Sequence, residues 1–159
     1  MWQKPRRALH LALHPLEALA QQVADLVVVG RAWPGLAFLA DRPEGALGPL
    51  AGLNAALQHA GESGYDGVIS AGCDTLPILP DMVSLLAGDG PAYLADHFLL
   101  GWWPTDLASE LERHLAEQDD RSIRGWIKRC SARAVSPSAP LQNLNTRADL
   151  EAYERITAS

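Results

Sequence analysis

Apolar residues recur along this chain with two different periods. Short runs rich in Val, Ile and Leu predict buried β-strands, whereas apolar residues three or four positions apart predict amphipathic helices. Strands that alternate with helices predict an α/β fold with a mostly parallel sheet and right-handed crossovers. The predicted strands are Leu26–Gly30, Leu36–Ala40, Asp66–Ala71, Pro91–Ala95, His97–Trp102 and Ala132–Val135. The predicted helices are Pro15–Ala24, Leu50–Ala60, Asp81–Ala87, Asp106–Glu117, Arg121–Arg129 and a last helix after Thr146.

Local signals indicate how several of these elements begin and which faces they bury. Leu26–Gly30 has the β-branched composition of a strand that is buried on both faces. Thr105 is expected to cap the helix that follows it, and Asp96-His97 to form a tight turn. Thr146 with Asp149 predicts a capping box at the start of the last helix. The inner face of that helix is expected to consist of Leu150, Tyr153 and Ile156.

The N-terminal segment, residues 1–14, has no clear period. Leu9, Leu11 and Leu13 alternate with other residues, which is compatible with a short edge strand. Basic residues near the start loosely imitate a signal peptide, but His14 and Pro15 interrupt the apolar stretch that follows. We therefore do not expect a cleaved signal peptide, and an arginine-containing targeting segment stays open as an alternative.

Composition narrows the class of protein. The chain has 159 residues, which predicts one domain over residues 1–159 with an atypical segment at 1–14. A net charge of −6 argues against a nucleic-acid-binding surface. The two cysteines form no C-x-x-C pair, so we expect no zinc site and a reduced, cytoplasmic protein. No apolar stretch is long enough to span a membrane.

Polar or glycine-rich stretches follow predicted strands or precede predicted helices. Asp74 comes just after the strand Asp66–Ala71, where a carboxylate can hold a divalent cation and, through it, phosphate oxygens. The loop Gly48–Gly52 runs into a helix and offers backbone N–H groups to an anion or a purine edge. Asn143 and Asn145 precede the last helix. The alternative interpretations are an ordinary surface acid and a plain connecting turn.

The predicted helix Arg121–Arg129 has an apolar side and a basic side. A basic helix face is most often a solvated surface, which we favour here, and the alternative is contact with an anionic substrate. The apolar side consists of Ile123, Trp126 and Ile127, and the basic side of Arg121, Arg124 and Lys128.

In order and spacing, these stretches resemble the nucleotidyltransferases that make molybdenum-cofactor dinucleotides, above all the molybdenum cofactor guanylyltransferases. The resemblance covers residues 25–155. The central Cys-Asp-Thr of the family corresponds to Cys73-Asp74-Thr75, and its closing Asn-x-Asn-Thr-x-x-Asp-Leu to Asn143 through Leu150. The stretch Asp96-His97 through Trp103-Pro104 and the helix start at Arg121-Ser122 also look like the family. The family's aspartate and glycine-rich loop correspond to Asp41, Gly48, Pro49, Leu50, Ala51 and Gly52.

One part of the family pattern is missing from this sequence. The family begins with a strand and the loop Leu-Ala-Gly-Gly-x-Ser-x-Arg-Met-Gly, followed by a lysine, and residues 8–16 look like the segment just after that lysine. Lys4 or Arg7 would then lie near the lysine's place, and the N-terminal strand is expected to be absent or replaced. Gly30 is a second departure, because relatives often carry a polar residue there. In the family the missing loop wraps the triphosphate.

The resemblance implies a fold and a reaction. The fold would be a three-layer α/β/α Rossmann-like structure of the nucleotide-diphospho-sugar transferase type. The reaction would transfer GMP from GTP to molybdopterin, with release of pyrophosphate. Asp74 would be the catalytic residue and hold Mg²⁺, while Asp41 and Gly48–Gly52 would bind the nucleotide. The pterin side would be contacted by Asn143, Asn145, Thr146, His97 and Arg121.

The implied partners are small molecules, GTP and molybdopterin, with a molybdoenzyme or a cofactor-delivery protein as a further option. We expect a monomer that binds neither nucleic acid nor membrane. Cys73 is expected to be a packed thiol rather than a nucleophile. The main alternative is a truncated, non-catalytic protein that binds a nucleotide or a partner of the cofactor pathway. A metal-dependent glycosyltransferase is less favoured, because Cys73-Asp74-Thr75 lacks the Asp-x-Asp pair such an enzyme requires.

Overall fold

The computed structural model describes residues 17–30, 32–45, 48–72 and 74–157. The expectations for residues 1–14, for Pro15 and for Cys73 lie outside these ranges. The strands are β1 (Val27–Val29), β2 (Ala37–Leu39), β3 (Gly67–Ser70), β4 (Thr75–Leu76), β5 (Ala92–Leu94), β6 (His97–Pro104), β7 (Arg133–Val135) and β8 (Gln142–Asn143). The helices are α1 (Pro49–Glu62), α2 (Met82–Leu86), α3 (Ala108–Glu117), α4 (Ile123–Arg129) and α5 (Arg147–Thr157). Residues 17–20 are also helical, and Thr105–Leu107 form a 3₁₀ turn.

The central sheet has four strands in the order β3-β6-β5-β7. Strand β6 runs antiparallel to both β3 and β5, and β5 runs parallel to β7. Three of the four strands therefore point the same way, with β6 reversed. Strands β1 and β2 form a separate parallel pair, and β4 pairs antiparallel with β8. The expected α/β fold with a mostly parallel sheet is confirmed.

Helices cover both faces of the central sheet, which confirms the three-layer arrangement. On one face, Leu94 and Leu100 pack with Met82 and Leu86 of α2. On the other face, Trp103 packs in a cluster supplied by α1, α3 and α4, with Leu50, Leu57, Leu111, Leu115 and Trp126. Successive side chains of a strand point to opposite faces, so one short sheet supports two cores. Each fully buried leucine contributes about 1.5–3 kcal/mol relative to an exposed one.

The predicted elements are present in the described ranges, with shifted ends. The helix predicted at Pro15–Ala24 does not continue beyond residue 20, and a turn follows. The tight turn between β5 and β6 consists of Ala95 and Asp96, with Asp96 in the left-handed region at φ 64°. His97 already belongs to β6 and pairs with Leu94, so the turn lies one residue earlier than predicted.

Three expectations about side chains are wrong. Thr105 does not cap α3, because its hydroxyl hydrogen-bonds the carbonyls of Tyr65 and Asp66 at 3.2 Å each. Ile156, expected on the inner face of α5, is 69% exposed. Val29, expected in a strand buried on both faces, is 37% exposed. Thr105 makes tertiary hydrogen bonds that the local sequence does not indicate, whereas Ile156 and Val29 are not covered by the packing that the apolar pattern predicts.

The exposure of β1 has a structural reason. Within the described residues β1 pairs with β2 alone, and β3 pairs with β6 alone. A cavity of about 270 Å³ separates the other edges of β1 and β3, and Val27 and Val68 are among its lining residues. Strand β1 is therefore not covered on every side. No helix in the described ranges is long and apolar enough to cross a membrane.

Candidate functional site

Strand β3 ends in a hydrogen-bonded serine that fixes the start of the Asp74 loop. Ser70 donates from its hydroxyl to the carbonyl of Leu99 at 2.7 Å and accepts a hydrogen bond from Trp103 Nε1 at 2.8 Å. Both partners belong to β6, so the end of β3 is fixed on its neighbour strand. Two small residues, Ala71 and Gly72, then lead toward the exposed Asp74.

The carboxylate of Asp74 lies against the backbone of Gly72. A Cβ atom at position 72 would be 2.6 Å from Asp74 Oδ1, well inside van der Waals contact, and 3.5 Å from Leu99 Cδ1. The Asp74 side chain can therefore adopt this position only because residue 72 has no side chain. This contact was not predicted from the sequence, where Gly72 is one of several small residues after an apolar run.

The C-terminal segment lies beside Asp74. The N–H of Leu144 donates to the carbonyl of Asp74 at 2.7 Å, and Thr75 pairs with Asn143 across the β4–β8 ladder. Asn143 and Asn145 flank Leu144, so the structure brings this part of the closing motif to the Asp74 loop. What ligand these residues contact stays a prediction.

A capping box at the start of α5 holds this segment in place, as predicted. The carboxylate of Asp149 accepts hydrogen bonds from the N–H groups of Asn145 at 3.1 Å and Thr146 at 2.8 Å. Thr146 Oγ1 accepts a hydrogen bond from the N–H of Asp149 at 3.1 Å. Hydrogen bonding by the Thr146 side chain, and then by its N–H, lowers the pKa of Asp149 from its ordinary value.

The glycine-rich loop enters α1 through the exposed residues Gly48 and Pro49, and the first helical turn that follows is buried. Gly48 is the N-cap residue at φ 75°, a left-handed conformation that favours glycine, and no side chain caps the helix. Leu50, Ala51 and Gly52 are all buried, so none of their side chains is available to a ligand. The N–H groups of a first turn lack helical partners and carry the positive end of the helix dipole, which favours an anion.

The loop after β2 is attached to the same helix. The N–H of Arg42 donates to the carbonyl of Ala51 at 3.0 Å, and Asn54 Nδ2 donates to the carbonyl of Arg42 at 2.8 Å. Asp41 Oδ1 lies 3.4 Å from the position that a Cβ on Gly52 would occupy. Asn54 is fully buried and was not singled out from the sequence, although a single amide on the apolar face of a helix was a usable signal.

The two loops follow strands that end on the same side of the fold. Helix α1 leads back from the C-terminal end of β2 to the N-terminal end of β3, so both strands end at the same side. Asp41 and Asp74 therefore follow strand ends on one side of the fold, the side on which ligands of open α/β sheets bind. His97 begins β6 opposite Leu94 at the end of β5, so it lies on this side too. Arg121 is exposed just before α4.

The carboxylate of Asp74 is suited to a cation that is also bound by a ligand. No group of three or more His, Cys, Asp or Glu side chains that could enclose a metal ion is found in the described ranges. Mg²⁺ commonly takes one or two protein carboxylates and completes its shell with phosphate oxygens and water. Asp74 suits that mode of binding. Burial raises the pKa of the Cys130 thiol to about 11, so this cysteine is not a nucleophile at neutral pH.

Comparisons with known proteins agree with this geometry. The model of the MobA-like NTP transferase domain family matches residues 7–134. The chain is 34% identical over 127 residues to a molybdenum cofactor guanylyltransferase of Acidiphilium cryptum, covering 76% of this chain and 64% of that protein. It is 35% identical over 153 residues to the Rhodobacter capsulatus enzyme of the same name, covering 86% of this chain and 77% of that protein.

A solved structure supports the fold. The molybdopterin-guanine dinucleotide biosynthesis protein A from Archaeoglobus fulgidus superposes with a TM-score of 0.63 and 23% sequence identity, over 90% of this chain and 85% of that chain. The layers, the strand-end loops and the family match agree with one another. This chain therefore belongs to the family of MobA-like NTP transferase domains.

Proposed function

We propose that this protein transfers GMP from GTP to molybdopterin and releases pyrophosphate, in the biosynthesis of the guanine dinucleotide form of the molybdenum cofactor. The observation that carries the proposal is that two loops follow strand ends on the same side of the fold. One loop offers the start of α1 with Asp41, and the other offers Asp74 joined to the Asn143–Asn145 segment. Relatives that carry the guanylyltransferase name match most of this chain.

The strand order suggests which side of Asp74 takes which substrate. Helix α1 starts after β2, whereas β6 pairs directly with β3, which leads to Asp74. The triphosphate and guanosine of GTP would bind at Gly48–Gly52 and Asp41, on the α1 side. The pterin would bind on the side of Asn143, Asn145 and Thr146, with His97 and Arg121 as further contacts.

The chemistry needs positioning and charge neutralisation rather than a covalent nucleophile. The terminal phosphate of the pterin attacks the α-phosphorus of GTP in line, the new P–O bond forms, and the bond to pyrophosphate breaks. Backbone N–H groups at the start of α1 hold phosphate oxygens, and Asp74 orients the reacting groups through a shared cation. Mg²⁺ bound there would neutralise the negative charge that develops around phosphorus. We further propose that the protein is a cytoplasmic monomer.

The first test is calorimetric titration of GTP into this chain, with and without Mg²⁺. We expect Mg²⁺-dependent binding, and we expect Asp74→Ala to weaken it by at least about tenfold, or about 1.4 kcal/mol. Asp89→Ala removes an exposed carboxylate elsewhere on the surface and serves as the matched control. Competition with CTP measures the preference for guanine.

The possible outcomes separate the two interpretations of the sequence. Binding that depends on Asp74, followed by turnover with molybdopterin, supports the transferase. Binding without turnover supports the alternative, a non-catalytic nucleotide-binding protein. A parent chain that does not bind GTP would contradict the proposal for this chain.

A further inference from the structure

The basic side of α4 contacts an aromatic pair on the central sheet. The guanidinium carbon of Arg124 lies 4.4 Å from the centroid of the Phe98 ring. Phe98 stacks on Tyr93, with ring centroids 5.8 Å apart and 29° between the ring planes. Arg124 is the outer member of this group of three, which we call the Arg124 stack. A cation over an aromatic face is held in place by the negative charge of that face.

The Arg124 stack stands at the sheet edge that carries the candidate site. Phe98 follows His97 at the start of β6, and Tyr93 precedes the last residue of β5. Leu99, next after Phe98, approaches the backbone of Gly72 beneath Asp74. Phe98 of the stack is therefore next in sequence to Leu99, whose side chain lies near the Asp74 loop.

The charge of Arg124 has no acidic partner in the part of the chain that the structure describes. The ion pairs found there join Arg42, Arg129 and Arg147 to glutamates. Asp120, the acid before α4, accepts a hydrogen bond from the N–H of Ser122 at 3.0 Å. An ordered guanidinium that is not neutralised by a carboxylate suits an incoming oxyanion, to which it presents several N–H donors.

His97, in the β5–β6 hairpin that carries Tyr93 and Phe98, has a ring nitrogen without a hydrogen-bond partner among the described residues. Nδ1 of His97 is buried and makes no hydrogen bond with any described residue. A buried polar atom without a partner is costly unless a ligand or a water supplies the missing bond. His97 and Arg124 are thus both neighbours of Phe98. His97 precedes it in the sequence, and Arg124 lies over its ring.

We propose that Arg124, held on Phe98, binds a phosphate oxygen of the acceptor, with His97 as a neighbouring contact. The inference rests on the proposed function, which places the nucleotide on the α1 side of Asp74. The Arg124 stack lies at the start of β6 and the end of β5, beside His97, so we assign it to the acceptor rather than to the nucleotide. Arg124 is then a substrate-binding residue on a helix face for which the sequence indicated contact with an anionic substrate as the less favoured alternative.

The test is direct binding of molybdopterin to the full 159-residue chain in the absence of nucleotide. Quenching of tryptophan fluorescence under anaerobic conditions reports the dissociation constant. We expect Arg124→Ala to raise it about tenfold. Lys128→Ala is the matched control, because it removes the same charge from an exposed position of the same helix, and should stay within about twofold of the parent.

Two further variants separate charge from stacking. Arg124→Lys keeps the charge but loses the fork of donors, so it should recover only part of the lost affinity. Phe98→Leu keeps an apolar side chain but removes the aromatic face, and should weaken binding about threefold. Thermal unfolding checks that each variant is folded, and GTP binding should be unchanged in all of them.

The outcomes are distinct for the two proposals. Equal affinities for Arg124→Ala and Lys128→Ala would overturn the role of Arg124, as would a parent chain that does not bind molybdopterin. If molybdopterin binding depends on Arg124 but the parent does not bind GTP, the transferase proposal fails and the Arg124 assignment stands.

Discussion

At the scale of single residues, the position of the Asp74 carboxylate requires a glycine at position 72. The Asp74 carboxylate lies where a Cβ on residue 72 would be, at 2.6 Å from Oδ1. Any other residue there would force the carboxylate away from the sheet edge. Glycine at position 72 therefore leaves room for this orientation of the carboxylate.

Gly72→Ala should impair the reaction far more than the fold. A displacement of the reacting groups by about 1 Å can cost about 10²-fold in rate, and we expect a loss of that order in kcat/KM for GMP transfer. The melting temperature should change little, because the Asp74 side chain can move into solvent.

Gly88→Ala is the control for Gly72→Ala, because a Cβ at position 88 meets nothing within 4 Å. Steady-state kinetics of both variants, with Mg²⁺ varied, gives the comparison. An unchanged rate in Gly72→Ala would show that Asp74 works from another position.

The sequence is informative about some residues of the site and silent about others. Asp74 and Asp41 each follow an apolar run, so local pattern is enough to place them at strand ends. Gly72 and Asn54 matter through contacts with Asp74 and with the carbonyl of Arg42, and such contacts exist only in the folded chain. No pattern within a short window indicates Gly72, and for Asn54 the sequence offers only a single amide on the apolar face of a helix.

At the scale of elements, α5 is connected to the site through its own N-terminal cap. Asp149 accepts hydrogen bonds from Asn145 and Thr146, and the neighbouring Leu144 donates to Asp74. Fraying of the first turn of α5 would therefore loosen the segment beside Asp74. The cap signal was readable because it lies within four consecutive residues.

The cap should weaken in acid. Hydrogen bonding by Thr146 lowers the pKa of Asp149 below its ordinary value of 3.8, so the folded state binds this proton less readily than the unfolded chain. The stabilisation is present above pH 3.8 and is lost as the pH falls through the lower, folded-state pKa. The protection of the α5 amides from hydrogen exchange, relative to the rate in an unfolded chain at the same pH, should decrease in that range. Asp149→Asn should remove this pH dependence of the protection.

Thr146→Ala tests the same cap at neutral pH. It removes the side-chain acceptor for the N–H of Asp149 and should cost about 1 kcal/mol of unfolding free energy. Chemical denaturation measures that value. Thr105→Ala is an informative comparison, because Thr105 bonds the carbonyls of Tyr65 and Asp66 instead of capping α3. Loss of α3 amide protection in Thr105→Ala, without loss near Tyr65, would contradict the structure.

At the scale of the whole molecule, two cores share one sheet. Neighbouring residues of β6 serve opposite faces, and Leu100 is fully buried whereas Leu99 is 38% exposed. Because both cores are built on the same strands, the described structure should unfold as one cooperative unit.

Leu100→Ala should lower the unfolding free energy by about 2–5 kcal/mol, whereas Leu99→Ala on the same strand should cost much less. Leu57→Ala, in the core on the opposite face, should cost about as much as Leu100→Ala and give a single transition. Urea unfolding followed by both fluorescence and circular dichroism is the measurement. Two separate transitions would show that the cores are independent.

The layered architecture was predictable because alternation of strand and helix patterns implies it. The pairing of β4 with β8 was not, because Thr75–Leu76 and Gln142–Asn143 are too short to carry a periodic signal. The exposure of β1 was also not predictable, because an apolar run does not show which strands pair with it, and among the described residues β1 pairs only with β2.

The Thr75–Asn143 pairing and the Leu144–Asp74 hydrogen bond also have a consequence in time. A ribosome releases the chain from its N-terminus, so Asp74 leaves the exit tunnel well before Asn143 has been synthesised. Strands β3, β5 and β6 can pair while translation continues. The Asp74 loop cannot form its contacts until the segment from Gln142 to Leu144 has been synthesised. A nascent chain that stalls before residue 142 would carry Asp74 without the segment that holds it, and the site would be completed only after that segment has left the ribosome.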